Sequence, residues 1–261
     1  MDLAAIPWAD LAPFILIGFL AQLVDSALGM AFGVVSNSLL VILGLPPVAA
    51  SVATHTVESF TTGAAGLAHA LQRNVDWPLF ARLVIPGIIG GFAGAWLLTI
   101  IHVDAARPVV LVYMAAIGAY LLWRGARRPQ TYRRMRLMGP LGLAGGFFDA
   151  AGGGWGPVVT GNLLAQGMTP RMAVGTVNAS EFFVTVTVLA TFIGALGWES
   201  FTIVVSGLLL GGVFAAPLGA WLTRHIASRS LVLLVGGLLI LISFYGFLSL
   251  MFEPVPTIPR I

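Results

Sequence analysis

The 261 residues include no cysteine and no lysine, and only 9% of them are charged, against roughly 25% in an ordinary soluble domain. Without cysteine there is no disulfide framework, no thiolate metal site and no cysteine nucleophile. With 58% hydrophobic residues and a mean hydropathy of +0.97, the chain has more apolar surface than one soluble core hides, so the lipid bilayer is its expected solvent. The 13 basic residues are all arginine. A sequence pI near 10 rests on an excess of only three charges, and Arg124, Arg127, Arg128, Arg133, Arg134 and Arg136 sit in one short segment. That clustering orients a membrane protein and does not make a nucleic-acid face, so no nucleic-acid partner is expected. Asp2 and Asp10 precede the first apolar run with no basic region before them, which predicts no cleaved signal peptide.

What is present is a series of long uncharged runs. Six have the ~20 residues that a helix needs to cross a bilayer: 47–70, 78–101, 107–123, 171–195, 201–222 and 231–252. Two more, 12–44 and 137–167, are too long for one straight span and too short for two with a turn. Each is interrupted midway by an aspartate and glycines, Asp25-Ser-Ala-Leu-Gly29-Met-Ala-Phe-Gly33 and Asp149-Ala-Ala-Gly-Gly-Gly-Trp-Gly156-Pro157. Each reads as two half-helices meeting near the membrane midplane.

The chain also repeats itself. Gly44-Leu-Pro-Pro47-Val-Ala-Ala50, followed by His55, Glu58 and Phe60, matches Gly167-Met-Thr-Pro170-Arg-Met-Ala173, followed by Asn178, Glu181 and Phe183. Asp25 aligns with Asp149, and Trp77 with its later Gly90-Gly91 recurs as Trp198 with Gly211-Gly212. The expectation is an all-α polytopic membrane protein of two inverted repeats, each a re-entrant pair of half-helices plus three full transmembrane helices. The first repeat is 1–123 and the second 137–252, joined by an Arg-rich cytoplasmic linker at 124–136 and followed by a tail at 253–261. Basic residues favour cytoplasmic loops. If each broken segment enters and leaves on one side, Arg73, Arg171, Arg224 and Arg229 join the linker inside, leaving Arg107 and Arg260 outside. Full crossings would move Arg171 and the 223–230 loop outside. Three crossings per repeat is odd, so the halves take opposite orientations, a plan found in many secondary transporters. Trp77 and Trp198 suit interfacial anchors. Pro86 and Pro217 are expected to kink their spans.

Four acids lie inside apolar segments, Asp25, Glu58, Asp149 and Glu181, forming two repeat-related pairs. Ionisable groups at membrane depth are costly and usually face a cavity or a partner. Glu58 and Glu181 read either as site residues or as acceptors for backbone N–H groups of the breaks. Asp25 and Asp149 read either as helix caps or as substrate or proton contacts. His55 and Asn178 each precede a glutamate by three residues and share its helical face. A His55–Glu58 hydrogen bond or proton relay is the favoured reading; two ligands without clustered partners make no zinc site, so no metal and no cofactor are expected. The half-helices beginning near 34 and 157 point N-terminal N–H groups and positive dipole ends inward, where an anion can bind. No arginine lies deep in a span. Candidate binding groups are therefore Gly33, Ser36, Asn37, Ser38, Gly153, Gly154, Trp155, Gly156, Thr160, Asn162, Thr176, Asn178 and Ser180, with Asp25, His55, Glu58, Asp149 and Glu181 for proton coupling or gating.

The two Gly-rich breaks, each followed by Pro-x-x-Ala and a polar helix start, Leu45-Pro-Pro-Val-Ala-Ala-Ser-Val-Ala-Thr54 and Met168-Thr-Pro-Arg-Met-Ala-Val-Gly-Thr176, resemble the duplicated signature of the TauE/SafE family, also called the sulfite exporter or TSUP family. The resemblance covers roughly residues 12 to 250. The segments His55-Thr-Val-Glu-Ser-Phe-Thr-Thr-Gly63 and Gly175-Thr-Val-Asn-Ala-Ser-Glu-Phe-Phe183 resemble a branch described as sulfite exporters. The resemblance implies a bacterial inner-membrane secondary transporter for a small sulfur-containing anion: sulfite, thiosulfate or an organosulfonate. The thiosulfate-uptake branch is described as relying on cysteines, which this chain lacks. The first break reads Leu28-Gly29-Met30 where the second reads Gly152-Gly153-Gly154, so anion binding is expected more firmly at the second.

An ionised glutamate beside a doubly charged anion repels it, and with no interior arginine, protonation is the relief. Anion movement is therefore expected to couple to protons on Glu58 or Glu181, with His55 as a relay. A cation or metal-ion transporter using the four carboxylates is the alternative. An intramembrane serine hydrolase built on Ser36 or Ser38 with His55 is disfavoured, for want of a Gly-x-Ser-x-Gly turn and of an acid placed to orient the histidine. Anion identity, direction and oligomeric state, monomer or dimer, stay open.

Overall fold

Prolines and one carboxylate set where the long helices begin. Pro47, Pro78 and Pro170 occupy first-turn positions, where the missing N–H has no helical partner to lose, and Asp76 caps its helix by accepting from Leu79 N at 3.1 Å. The computed structural model describes residues 8–28, 30–101, 103–127, 137–196, 202–222 and 228–252. In chain order the helices are α1 (Trp8–Leu28), α2 (Phe32–Ile42), α3 (Pro47–Leu71), α4 (Trp77–Ile100) and α5 (Val103–Ala126). After the linker come α6 (Met138–Gly152), a π-helical turn (Gly156–Thr160) running into α7 (Gly161–Ala165), then α8 (Pro170–Leu196), α9 (Thr202–Leu222) and α10 (Ser228–Phe252). The described residues contain no strand.

Among the described residues, four helices are long and apolar enough to cross a membrane: Trp8–Asp25, Trp77–Ile100, Pro108–Ala126 and Arg171–Leu196. α3 has the length, 25 residues, but its buried face carries Ser51, Thr54, His55, Glu58 and Thr62, which lowers its hydropathy. α1 differs from the half-helix expected of the first break. It starts four residues before position 12 and reaches spanning length at 21 residues, while α6 stops at 15. The surface suits a hydrocarbon solvent: Leu71, Ile85, Phe214, Leu241 and Met251 are among many large apolar side chains left exposed. In water so continuous an apolar exterior would be an association surface.

Close glycine contacts give the direction of each helix. Gly63 of α3 faces Phe182 of α8 and Gly66 faces Ala179; numbers fall on one as they rise on the other, so the two are antiparallel. Gly118 of α5 faces Ile240 of α10 while Gly246 faces Leu111, again antiparallel. Gly87 and Gly91 of α4 face Val184 and Val188 of α8, a parallel pair. Gly142 and Gly146 of α6 face Leu83 and Gly87 of α4, and Gly207 and Gly211 of α9 face Phe14 and Phe19 of α1, two further parallel pairs. Small residues at these crossings bring backbones together where lipid offers no competing hydrophobic gain, so van der Waals contact carries the association. α1 packs chiefly on α9 and α6 on α4, α3 on α8 and α5 on α10. Each principal partner thus comes from the opposite half of the chain.

These directions fix the path through each break. α6 and α8 both run parallel to α4, so the π-helical turn and α7 carry the chain back to the end from which α6 set out. α9 follows α8 after five residues, which reach about 17 Å against about 32 Å for a 21-residue helix, so α9 turns back along the bundle. α1, parallel to α9, therefore shares the direction of α3, and α2 is the return segment of the first half.

One end of the bundle collects Arg73, Arg124, Arg171 and Arg229. There Thr176 accepts from Asp76 N at 2.9 Å, and Arg229 Nε donates to Gly125 O at 2.7 Å. Arg124 reaches Gly161 and Tyr120 at the same end. Most of the linker (128–136), together with Arg224, Trp198, Arg260 and the 253–261 tail, lies outside the described residues. α4 continues through Pro86 as one helix.

Candidate functional site

Each break ends in an N-terminus that needs partners for its first amides, and each is served by the aspartate six residues earlier. Asp25 Oδ1 accepts from Ala31 N at 2.8 Å and Phe32 N at 3.2 Å. Asp149 Oδ1 accepts from Trp155 N at 3.0 Å. Of the two roles open to these aspartates, the structure displays the cap. Gly153 ends α6 in the left-handed region, φ 72°, with its N–H donating to Asp149 O at 2.7 Å; only glycine occupies that conformation without strain.

The two breaks meet. A Cβ on Gly33 would lie 2.7 Å from both Gly153 Cα and Glu58 Oε1, and one on Gly156 would lie 2.7 Å from Met30 Cα. Backbone touches backbone at the centre of the bundle, a contact that side chains would prevent.

His55 does not bond Glu58, as the three-residue spacing suggested. Its Nδ1 faces Ser51 O at 2.7 Å and its Nε2 faces Asp149 Oδ2 at 3.2 Å. The reason is direction: position 55 of α3 points at α6, whereas Glu58, one turn on, points at the junction of the breaks. Ser51 O can only accept, so Nδ1 carries a hydrogen, and the Nε2–Oδ2 contact needs one more proton, on ring or carboxyl. Asp149 is thus the acid that orients the histidine, missed in sequence because it lies 94 residues away. A Ser51–His55–Asp149 row results, but it is not a nucleophile's geometry. Ser51 Oγ donates to Ala150 O at 2.8 Å, and the ring nitrogen beside it is already a donor, so nothing takes the hydroxyl proton.

Between the breaks lies a small cavity, in which a water-sized sphere has about 10 Å³, one water position. Asp25, Glu58 and Glu181 bring carboxyls to it, Asn178 an amide, and Thr61 and Thr62 stand a turn beyond Glu58. Its other walls are residues 30–33, Gly153 and Gly156. Glu58 is 3% exposed, and its Oε2 has no hydrogen-bond partner among the described residues. Sequence reasoning had not singled out Thr61, Thr62, Met30, Ala31 or Phe32. The two threonines follow Glu58 at i+3 and i+4, a helical-face signal that could have found them.

Of the candidate binding residues, Gly33, Gly153, Gly156 and Asn178 line this cavity; the others stand elsewhere. Ser36 donates to Phe32 O at 2.6 Å and lies 3.4 Å from Thr54 Oγ1. Ser38 donates to Val34 O, Ser180 to Thr176 O at 3.0 Å and Asn162 to Val158 O at 2.7 Å. Thr176 holds the α3–α4 turn through Asp76 N. Asn37 and Thr160 are fully buried, with side-chain atoms unpartnered among the described residues. Gly154 backs onto the Tyr113 hydroxyl. Trp155, 0% exposed, is wedged against Gly87 and Gly145. Among the described residues, no group of three or more His, Asp and Glu side chains is arranged to hold a metal ion.

Comparison with known proteins adds two matches. A family model described as "Sulfite exporter TauE/SafE" matches residues 14–246. A protein of Bacillus subtilis (strain 168) called "Probable membrane transporter protein YtnM" is 41% identical over 240 residues, covering 88% of this chain and 80% of that one. No solved structure matches.

Proposed function

The chain belongs to the TauE/SafE sulfite exporter family, a family of multi-pass membrane transporters and not of enzymes, and from that premise we propose that it moves a small sulfur-containing anion, sulfite first or an organosulfonate, outward across the bacterial inner membrane, with its movement coupled to protons. The observation carrying this reading is the meeting of the two capped breaks beside Glu58 and Glu181, in an interior whose lining includes no arginine. The fold reading that goes with it is a pair of inverted repeats divided at the 124–136 linker. It is supported by the antiparallel packing of the repeat mates α3 with α8 and α5 with α10, which puts the relating axis across the helices and so in the membrane plane. The return of α2 and α7 supports a re-entrant hairpin at each break. The arginine end of the bundle is then cytoplasmic.

In this mechanism the anion approaches the junction of the breaks, and a proton on Glu58 or Glu181 removes the repulsion that an ionised carboxyl would exert there. His55 and Asp149, which share a proton next to Glu58, are the relay. A cavity the size of one water marks a closed arrangement, so helix movement precedes entry from either side. The test is sulfite flux in proteoliposomes under an imposed pH gradient, with Glu58→Gln and Glu181→Gln beside wild type. The expected result is gradient-driven flux lost in at least one variant; flux indifferent to the gradient and to both changes overturns the coupling.

One observation favours a second reading, cation transport: three of the lining side chains are carboxyls. Stabilisation of the purified protein by sodium or divalent cations and not by sulfite would select it.

A further inference from the structure

The half-helix N-terminus that an anion would seek at the first break is already taken by an anion that belongs to the protein. Asp25 Oδ1 holds the N–H groups of Ala31 and Phe32, the opening amides of an 11-residue helix, and it does so from the wall of the cavity. Resting on the transporter reading above, we propose that Asp25 is a displaceable internal anion. Its carboxylate occupies the α2 amide pair when the site is empty, and a three-oxygen sulfur anion takes the same two N–H groups when that carboxylate swings away.

Three observations converge on this. Glu58 faces the same cavity, 3% exposed, with Oε2 unpartnered among the described residues. A carboxyl so placed becomes, once protonated, an O–H donor for an oxyanion held at the amides 31 and 32. The cavity alone admits only a water, and the space an oxyanion lacks is the space that the Asp25 carboxylate vacates. The second break is built otherwise: Asp149 caps Trp155 N, is also held by His55 Nε2, and does not line the cavity. Displacing it would break a contact between α3 and α6 as well as a cap. Among the described residues Asp25 has its two amides to give up, and the titratable groups around the cavity are Glu58 from α3, Glu181 from α8 and, beside Glu58, the His55–Asp149 pair of α3 and α6. The one base among them, His55, is held by Asp149 and does not line the cavity, so return of the Asp25 carboxylate to the amides is what expels the substrate.

The experiment is binding to the purified full-length protein in nanodiscs, by titration calorimetry, with sulfite, sulfate, thiosulfate, phosphate and 2-aminoethanesulfonate as probes. Asp25→Asn leaves a weaker, uncharged cap to compete with. It is expected to bind the preferred oxyanion about tenfold more tightly than wild type, since each tenfold is about 1.4 kcal/mol. Glu181→Gln removes one charge from the same cavity without freeing the amides and controls for simple repulsion. Equal tightening in both variants, or no tightening in Asp25→Asn, overturns the proposal. So does failure of every probe to bind either form. Wild type that binds a different oxyanion than sulfite, tightened by Asp25→Asn, supports the displacement and corrects the substrate. Sulfite flux intact with no tightening leaves the function and removes the displacement. If Asp25→Asn fails to fold, infrared difference spectra of protein carrying 13C-carboxyl aspartate decide. Added anion is expected to shift an aspartate band in wild type and in Asp149→Asn alike, and absence of that band, or its loss in Asp149→Asn, overturns the idea.

Discussion

The two breaks begin from the same plan and end in different mechanical states. In each, an aspartate reaches six residues ahead to cap the returning helix. At the second break that aspartate is also tied to His55, Gly153 sits in a left-handed cap, and Trp155 fills the groove beneath Gly87 and Gly145. At the first, the residue matching Trp155 is Ala31, and the residue matching His55 in the opposite half is Asn178, for which no bond to Asp25 is formed. The glycine-richer break is therefore the better anchored one. Glycine there serves close packing and one turn, not looseness, and more of the cavity wall comes from the plainer first break.

Substitutions can widen or erase this difference. The largest effect is expected for Gly153→Val. A β-branched residue is strained at φ 72°, by about 1–2 kcal/mol for the left-handed region alone, and its Cβ would enter the Gly33 backbone. Loss of folded protein by fluorescence size-exclusion is the expected outcome, whereas a protein that folds and transports would show that the breaks do not touch. Trp155→Ala comes next. Emptying a fully buried indole site costs about 3–5 kcal/mol, read as a drop in Tm in detergent, and the first-break counterpart Ala31→Gly should cost no more than about 1 kcal/mol. Third is His55→Ala against Asn178→Ala. The former strands a buried Asp149 oxygen at about 1–3 kcal/mol; the latter is expected to stay within about 0.5 kcal/mol, and equal losses would mean that the two aspartates are held alike. Smallest is Thr176→Val, which leaves Asp76 N without its acceptor and lowers Tm by an amount matching about 1 kcal/mol.

Much of the architecture was legible because lipid leaves few solutions. Run lengths of 31 to 33 residues with an internal aspartate and glycines announced the breaks, and arginine placement agreed with a returning path. What could not be read was contact between halves. The partner of His55 is on α6 and the partner of Asp76 N is on α8, and no local spacing encodes either. The hydroxyls misled for a different reason. Ser36, Ser38 and Ser180 look like ligands in sequence, but inside a helix surrounded by apolar side chains a hydroxyl bonds the carbonyl three or four residues back. The start of α1 was missed because Asp10 interrupts the apolar run, though an acid in the first turn suits a helix N-terminus.

The exchange of partners between halves also sets an order of manufacture. α6 meets α4 soon after it leaves the ribosome, but α1 must wait for α9, about 174 residues later in the chain. At roughly 5–20 residues per second, that is a delay on the order of ten to thirty-five seconds. During it, the face of α1 that α9 will cover, Gly18 included, has only lipid or the insertion machinery for company. A ribosome stalled before residue 202 leaves the first break built and its scaffold missing, so the nascent protein becomes a closed bundle only when its last two helices arrive.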